Sequence, residues 1–266
     1  MKKYWKWIVL VLVIIVAIVG VILYRRDSHG KPFKANLANE KVMMTPDWYA
    51  KVRLTANDGA TYEVKNSKGK VIQSKTSTKG GKADIKLNNT GNYTIVAKSD
   101  NGHVSKKLPL KVTNYKANIN KWTNAVGPLK FKIGKVEYKE ATKGGETTIN
   151  NTDAYNQLNK HFYRIIIHYT AYNSSSKPID SLTTVWSPII DGNQEISVDN
   201  GDGEGYADSS IREGGNPIPA HGKTQGTFVI NYNRKITAKN LKIHVTQISS
   251  TDLKILDSKG GTAKLK

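Results

Sequence analysis

The chain has 266 residues, with 41 basic against 21 acidic side chains, a net charge of +20 and a pI near 9.8. Such a surface attracts polyanions, whether nucleic acid, anionic lipid headgroups or anionic wall polymers. The chain has no cysteine, which excludes disulfide staples, zinc thiolate sites and thiol catalysis, so any exported domain must hold together by burial alone.

The first element runs from Tyr4 to Tyr24. Ile8–Leu23 is an unbroken apolar stretch of 16 residues, flanked by Tyr4, Trp5, Trp7 and Tyr24. A bilayer core of roughly 30 Å needs about 20 helical residues at ~1.5 Å each, and the run reaches that length once its aromatic flanks are counted. A cleaved signal peptide needs a small-x-small site, whereas this run ends in Val21-Ile22-Leu23-Tyr24-Arg25-Arg26. A lipoprotein needs a cysteine there. Residues 1–26 are therefore expected to be a transmembrane signal anchor, contacting the lipid bilayer through residues 4–24. Residues 27–47, mixed in charge and containing Gly30 and Pro32, read as a stalk.

From residue 48 to 113 short alternating runs recur, each closed by a turn signal. Lys51–Thr55 precedes Asn57-Asp58-Gly59, Thr61–Val64 precedes Ser67-Lys68-Gly69-Lys70, and Val71-Ile72 follows. Ala83–Leu87 leads to Asn88-Asn89-Thr90-Gly91, Tyr93–Ala97 leads to Asp100-Asn101-Gly102, and Leu108–Val112 ends the set. Asp-Gly and Asn-Gly pairs supply the positive φ that hairpin turns require. This spacing predicts a small antiparallel sandwich, with Trp48 and Tyr49 at its start. The stretch Asn89-Thr90-Gly91-Asn92-Tyr93 resembles the Asp-x-Gly-x-Tyr corner of bacterial immunoglobulin-like modules, with Asn in the Asp position. That resemblance implies a structural role for Tyr93, its hydroxyl bonding back to nearby backbone.

Residues 114–127 read as a linker, with Trp122 packing between domains. The second sandwich is expected over 128–250. Leu129, Phe131 and Ile133 share one face, and beyond Gly134 the parity shifts to Val136 and Tyr138, which predicts a β-bulge at Gly134. A polar insertion, Thr142–Asn159, includes a helical turn around Tyr155–Leu158. The strand His161–Tyr172 places Tyr163, Ile165, Ile167, Tyr169 and Ala171 on one face, with Arg164, His168 and Thr170 on the other. Further strands are predicted at Leu182–Ile190, Thr224–Tyr232 and Leu241–Ile248, and 251–266 is a terminal strand or tail.

The pattern Phe131-Lys-Ile-Gly-Lys-Val136, Tyr163 to Asn173 with Ser175 to Ile179, Asp191-Gly192, and Ile218-Pro-Ala-His-Gly-Lys-Thr224 into Gly226–Ile230 resembles an uncharacterised immunoglobulin-like ectodomain family. Its members are Gram-positive membrane proteins and lipoproteins, and the match covers roughly 130–245. It implies an all-β chain, two immunoglobulin-like antiparallel β-sandwiches after one transmembrane helix, and no enzymatic activity. The flanking charges, Lys2, Lys3 and Lys6 against Arg25, Arg26, Lys31, Lys34 and Lys41, lean slightly towards a cytoplasmic C-terminus. The lysine-led start and the extracytoplasmic resemblance point the other way. The expected topology is N-inside with the β-domains extracellular.

Three constellations remain. Asp199, Asn200, Asp202, Glu204 and Asp208 lie in a glycine-rich acidic stretch whose first half matches a calcium loop, N-x-D-x-E-G. Its second half does not match, because Ile211 stands where a bidentate Glu belongs. Residues 31–120 carry 17 basic against 6 acidic side chains, and Lys65, Lys68, Lys70, Lys75, Lys79, Lys82 and Lys86 form a candidate basic face for anionic lipid or wall polymer. No cofactor motif, nucleophile elbow or zinc spacing is present, and no nucleic-acid signature either. The expected function is a membrane-anchored envelope protein that binds or scaffolds an unidentified partner. The alternatives are an anchored sensor taking calcium or a small ligand through the second domain, and a hydrolase if His168, His244 or His221 meets an acid in a cleft.

Overall fold

The computed structural model describes residues 32–144, 152–198 and 203–266. The apolar run, and with it the expected membrane anchor, lies outside them. Among the described residues no helix is long and apolar enough to cross a membrane. The described chain is all-β, with nineteen strands in antiparallel sheets and two short helices. It divides into two compact units. The first comprises the described residues up to Glu40 with Val52–Ile85 and Gly91–Lys111; the second comprises Lys41–Lys51, Lys86–Thr90 and Val112–Lys266.

Residues 35–113 hold β1 (Ala35–Leu37), β2 (Lys41–Met43), β3 (Ala50–Ala56), β4 (Thr61–Asn66), β5 (Val71–Ser77), β6 (Lys82–Leu87), β7 (Gly91–Lys98) and β8 (Ser105–Thr113). They form one sheet of order β1-β3-β6 and another of order β2-β8-β7-β4-β5. The period-2 pattern explains why these segments are strands: along β3, Ala50, Val52 and Leu54 are buried while Lys51, Arg53 and Thr55 face water. The expected turns form as read. Gly59, Gly69 and Gly102 all take positive φ, and the Asn66 carboxamide oxygen accepts from the backbone N–H groups of Lys68 and Lys70. Strands β1 and β2 fall within the expected stalk. They are three residues each, too short to show a period, and they exist because sheet edges offer them unpaired backbone groups.

The second unit is built on a five-stranded sheet of order β14-β15-β11-β10-β9, where β9 is Lys116–Trp122, β10 Leu129–Thr142, β11 His161–Asn173, β14 Gly205–Ser209 and β15 Lys223–Tyr232. A four-stranded sheet has the order β13-β12-β16-β19, with β12 Trp186–Ile190, β13 Gln194–Glu195, β16 Lys242–Val245 and β19 Gly261–Lys264. A hairpin pairs β17 (Ile248–Ser249) with β18 (Ile255–Asp257). The expected linker thus contains the edge strand β9, and the expected terminal strand or tail supplies the opposite sheet's edge strand β19. Both are polar, alternate weakly, and are recruited by backbone pairing rather than by an apolar face. The strand expected from Leu182 starts only at Trp186, because the Asp180 carboxylate accepts from the Leu182 N–H and the Thr183 hydroxyl to close a turn.

The β-bulge lies where the parity shift placed it: the β10–β11 register slips between Ile133 and Val136. Side chains from the two sheets meet in one core. The Phe131 ring stands 6.0 Å from Tyr169 and 6.1 Å from Trp186, and Tyr169 stacks on Phe228 at 4.5 Å. The Trp186 indole N–H donates to the Tyr169 hydroxyl at 3.0 Å, and that hydroxyl pairs with the Ser209 hydroxyl at 2.9 Å. Phe162 has the outward parity of Arg164 yet is buried. Helix α1 (Thr152–Gln157) explains this, since Ala154, Tyr155, Leu158 and Tyr206 cover Phe162 in a satellite core. Trp48 belongs to the second unit rather than opening the first. Its indole N–H donates to the Ile236 carbonyl at 2.6 Å, with its ring 4.9 Å from Tyr138.

Candidate ligand-binding cleft

Strand β9 is one edge of the five-stranded sheet and β19 one edge of the four-stranded sheet, and their ends lie side by side. Asn124 fastens them at one end: its backbone N–H donates to the Lys264 carbonyl at 2.9 Å, and its side-chain oxygen accepts from the Lys264 N–H at 2.6 Å. Thr123 and Leu265 form a single bridge beside it. Further along, β9 loses its regular register between its pairings at Lys121 and Asn118, and Asn120 takes a φ of 51°. The strand bends out of the ladder there. An open cleft of about 850 Å³ lies alongside.

Ile119 and Leu265, both half-buried, line the cleft above Ile133, Val136 and Leu241, which belong to the core. Five lysines also line it, Lys121, Lys239, Lys242, Lys264 and Lys266, and no Asp or Glu does. Two of these amines are held. Lys239 pairs with Asp47 at 2.6 Å, and Lys242 donates to the Asn193 side chain at 2.8 Å. At the back, burial pushes the Tyr138 phenol up to about 12, although its oxygen accepts from the Ala238 N–H at 2.6 Å. It is neutral at physiological pH. The nearby carboxyl of Glu137 is held below its usual range by Lys135 and, against partial burial, by Lys116, which occupies both of those lysines. The cleft therefore offers apolar carbon below and uncompensated ammonium groups at the mouth, which suits an amphipathic anion.

The chain matches no family profile and no curated protein. Among solved structures it is similar to one described as "The crystal structure of a functionally unknown protein from Listeria monocytogenes EGD-e", with 18% identity and a TM-score of 0.33 over 50% of this chain and 74% of that one.

Of the expected calcium loop, Asp199, Asn200 and Asp202 lie outside the described residues. Glu204 is exposed and pairs with Arg234 at 3.4 Å. Asp208 sits on β14, four residues or about 13 Å of extended chain away. Burial, then the charge of Glu213, push its carboxyl up to about 6, against the pull of Arg164. The two acids are not brought to one point, and among the described residues no three His, Cys, Asp or Glu groups gather as metal ligands.

The seven lysines expected as one basic face divide between two sheets. Lys65 is half-buried on β4 beside Glu63 at 3.4 Å, Lys68 and Lys70 are exposed in the β4–β5 turn, and Lys75 lies on β5. Lys79 and Lys82 meet in a bridge where the chain crosses to β6, and Lys86 stands 4.3 Å over the Tyr49 ring. Tyr93 is buried at the start of β7, opposite Asn66. His244 lies 2.9 Å from both Glu195 carboxylate oxygens, but on an exposed sheet surface outside the cleft. His168 meets the Thr227 hydroxyl at 3.3 Å, and His221 occupies a left-handed turn with a φ of 48°. The cleft escaped sequence reading because β9 and β19 are about 140 residues apart and neither is strongly patterned. The one local signal was the run of lysines around positions 235–242.

Proposed function

We propose that this chain is a binding protein tethered to a membrane by residues 4–24. Its two immunoglobulin-like units are displayed outside the cytosol of a Gram-positive envelope, where the second captures an anionic, partly apolar ligand without chemistry of its own. The observation that carries this reading is the cleft, lined by five lysines and by no Asp or Glu side chain over an apolar base. Opposite charge at the mouth orients the ligand's head, and burial of its alkyl part contributes about 25 cal/mol per Å² removed from water. The sensor alternative is retained in this form, with the anion rather than calcium as the ligand.

The test is amine footprinting of the full-length chain in neutral-lipid nanodiscs. Octyl phosphate is expected to slow acylation of Lys121 and Lys264, whereas octyl glucoside, with the same tail, is not. Equal protection by both, or by neither, removes the anion reading. Protease digestion of intact cells tests the tether: cleavage of both units without lysis is expected, and full protection would refute the topology.

A further inference from the structure

The outward face of the five-stranded sheet carries a second basic site, separate from the cleft. Trp122 on β9 and Tyr172 on β11 stand up from this face. The Lys130 amine lies 4.8 Å from the Trp122 ring centre and 5.1 Å from that of Tyr172. The Lys223 amine lies 6.0 Å from each of the same two rings. Two ammonium groups thus share two aromatic faces, and neither forms an ion pair with a carboxylate among the described residues. The negative ring faces favour ammonium groups over them, which keeps two like charges side by side at one place on the sheet. The register places Thr170 opposite Gln225 two residues further along the same pair of strands as Tyr172 opposite Lys223. A shallow depression of about 320 Å³, lined by Thr170 and Gln225, continues the surface there.

We infer that this face docks a polyol phosphodiester polymer. Successive phosphates meet the Lys130 and Lys223 amines, and the hydroxyls between them meet Thr170 and Gln225. Single-stranded nucleic acid is another polyanion, but it binds by stacking bases on open aromatic faces. Here those faces are occupied by amines. The inference does not depend on the cleft, and the two are tested with different ligands and different variants.

The experiment measures fluorescence anisotropy of labelled poly(glycerol phosphate) with the full-length chain in neutral-lipid nanodiscs. Binding that weakens as salt rises is expected, with a loss of about tenfold in Lys130→Gln/Lys223→Gln at low salt. Lys130→Arg/Lys223→Arg should retain binding, and Lys68→Gln/Lys70→Gln in the first unit should leave it unchanged. The polymer should also quench tryptophan emission, and Trp122→Phe should abolish that quenching while the labelled polymer still binds. Unchanged affinity in the Lys→Gln pair, or no binding by the wild type at low salt, overturns the inference. So does binding of a single-stranded DNA of about 20 nucleotides as tight as that of the polymer.

Discussion

Removing one oxygen atom, in Tyr169→Phe, tests whether the two sheets of the second unit are joined as described. The Tyr169 hydroxyl accepts from the Trp186 indole N–H at 3.0 Å and pairs with the Ser209 hydroxyl at 2.9 Å. All three residues are at least 97% buried. Burial pushes the phenol up to about 12, so at physiological pH it is a neutral group serving both neighbours. Phenylalanine keeps the stacking on Phe228 and leaves two buried polar groups without this partner. Each such orphan costs about 1–3 kcal/mol, so a loss of about 2–6 kcal/mol is expected for the two. In a unit of this size one kcal/mol corresponds to about 2–4 °C, which places the drop in melting temperature at about 4–24 °C. The assay is thermal unfolding of the full-length chain by calorimetry and near-ultraviolet dichroism. In a double-mutant cycle with Trp186→Phe, the pair should cost at least about 1 kcal/mol less than the sum of the single changes. A Tyr169→Phe variant within about 0.5 kcal/mol of the wild type would refute the bridge between the sheets.

Gly226→Ala should destabilise the second unit by about 1–3 kcal/mol in denaturant unfolding, because the new Cβ would lie 2.6 Å from Ile211 Cγ1 and 2.7 Å from Tyr169 Cζ. Asn173→Ala should lose about 2–4 kcal/mol. That buried side chain donates to the carbonyls of Lys177, Ile218 and Pro219 and accepts from the Ser175 N–H and hydroxyl. Asp208 has a folded pKa of about 6, above the unfolded carboxyl value near 3.9. The folded state therefore holds the proton more tightly, and this group's contribution to stability rises as pH falls from about 6 to about 4. Asp208→Asn should accordingly raise stability at pH 8 by about 1 kcal/mol after allowance for partial exposure, and match the wild type near pH 4. A gain that persists undiminished at acid pH would show that burial of the charge is not its cause.

Where a feature was carried by neighbouring residues, it was legible before any coordinates. The alternation of β3 and β11, the bulge at Gly134 and the turn at Ser67–Lys70 each follow from the steric demands of a few consecutive residues. The short strands β1 and β2 were not legible, and β19 only as one of two readings of the last residues, since all three are defined by the backbone groups of a partner rather than by their own side chains. The outward burial of Phe162 depends on a helix that precedes it in the chain and folds back over the sheet.

The same division runs through function. Charge sign, the absence of cysteine and the apolar run at 8–23 are properties of composition and local order, and they led to the expectation of a basic, cysteine-free protein beginning in a membrane anchor. Which lysines act together is a question of distance in space. The seven that cluster in sequence are parted between two sheets, while Lys121 and Lys264, 143 positions apart, line one cleft. Lys130 and Lys223, 93 positions apart, share one pair of rings. Coulomb attraction falls with distance and is screened over about 8 Å, so only tertiary pairing of remote strands can turn a basic composition into a site.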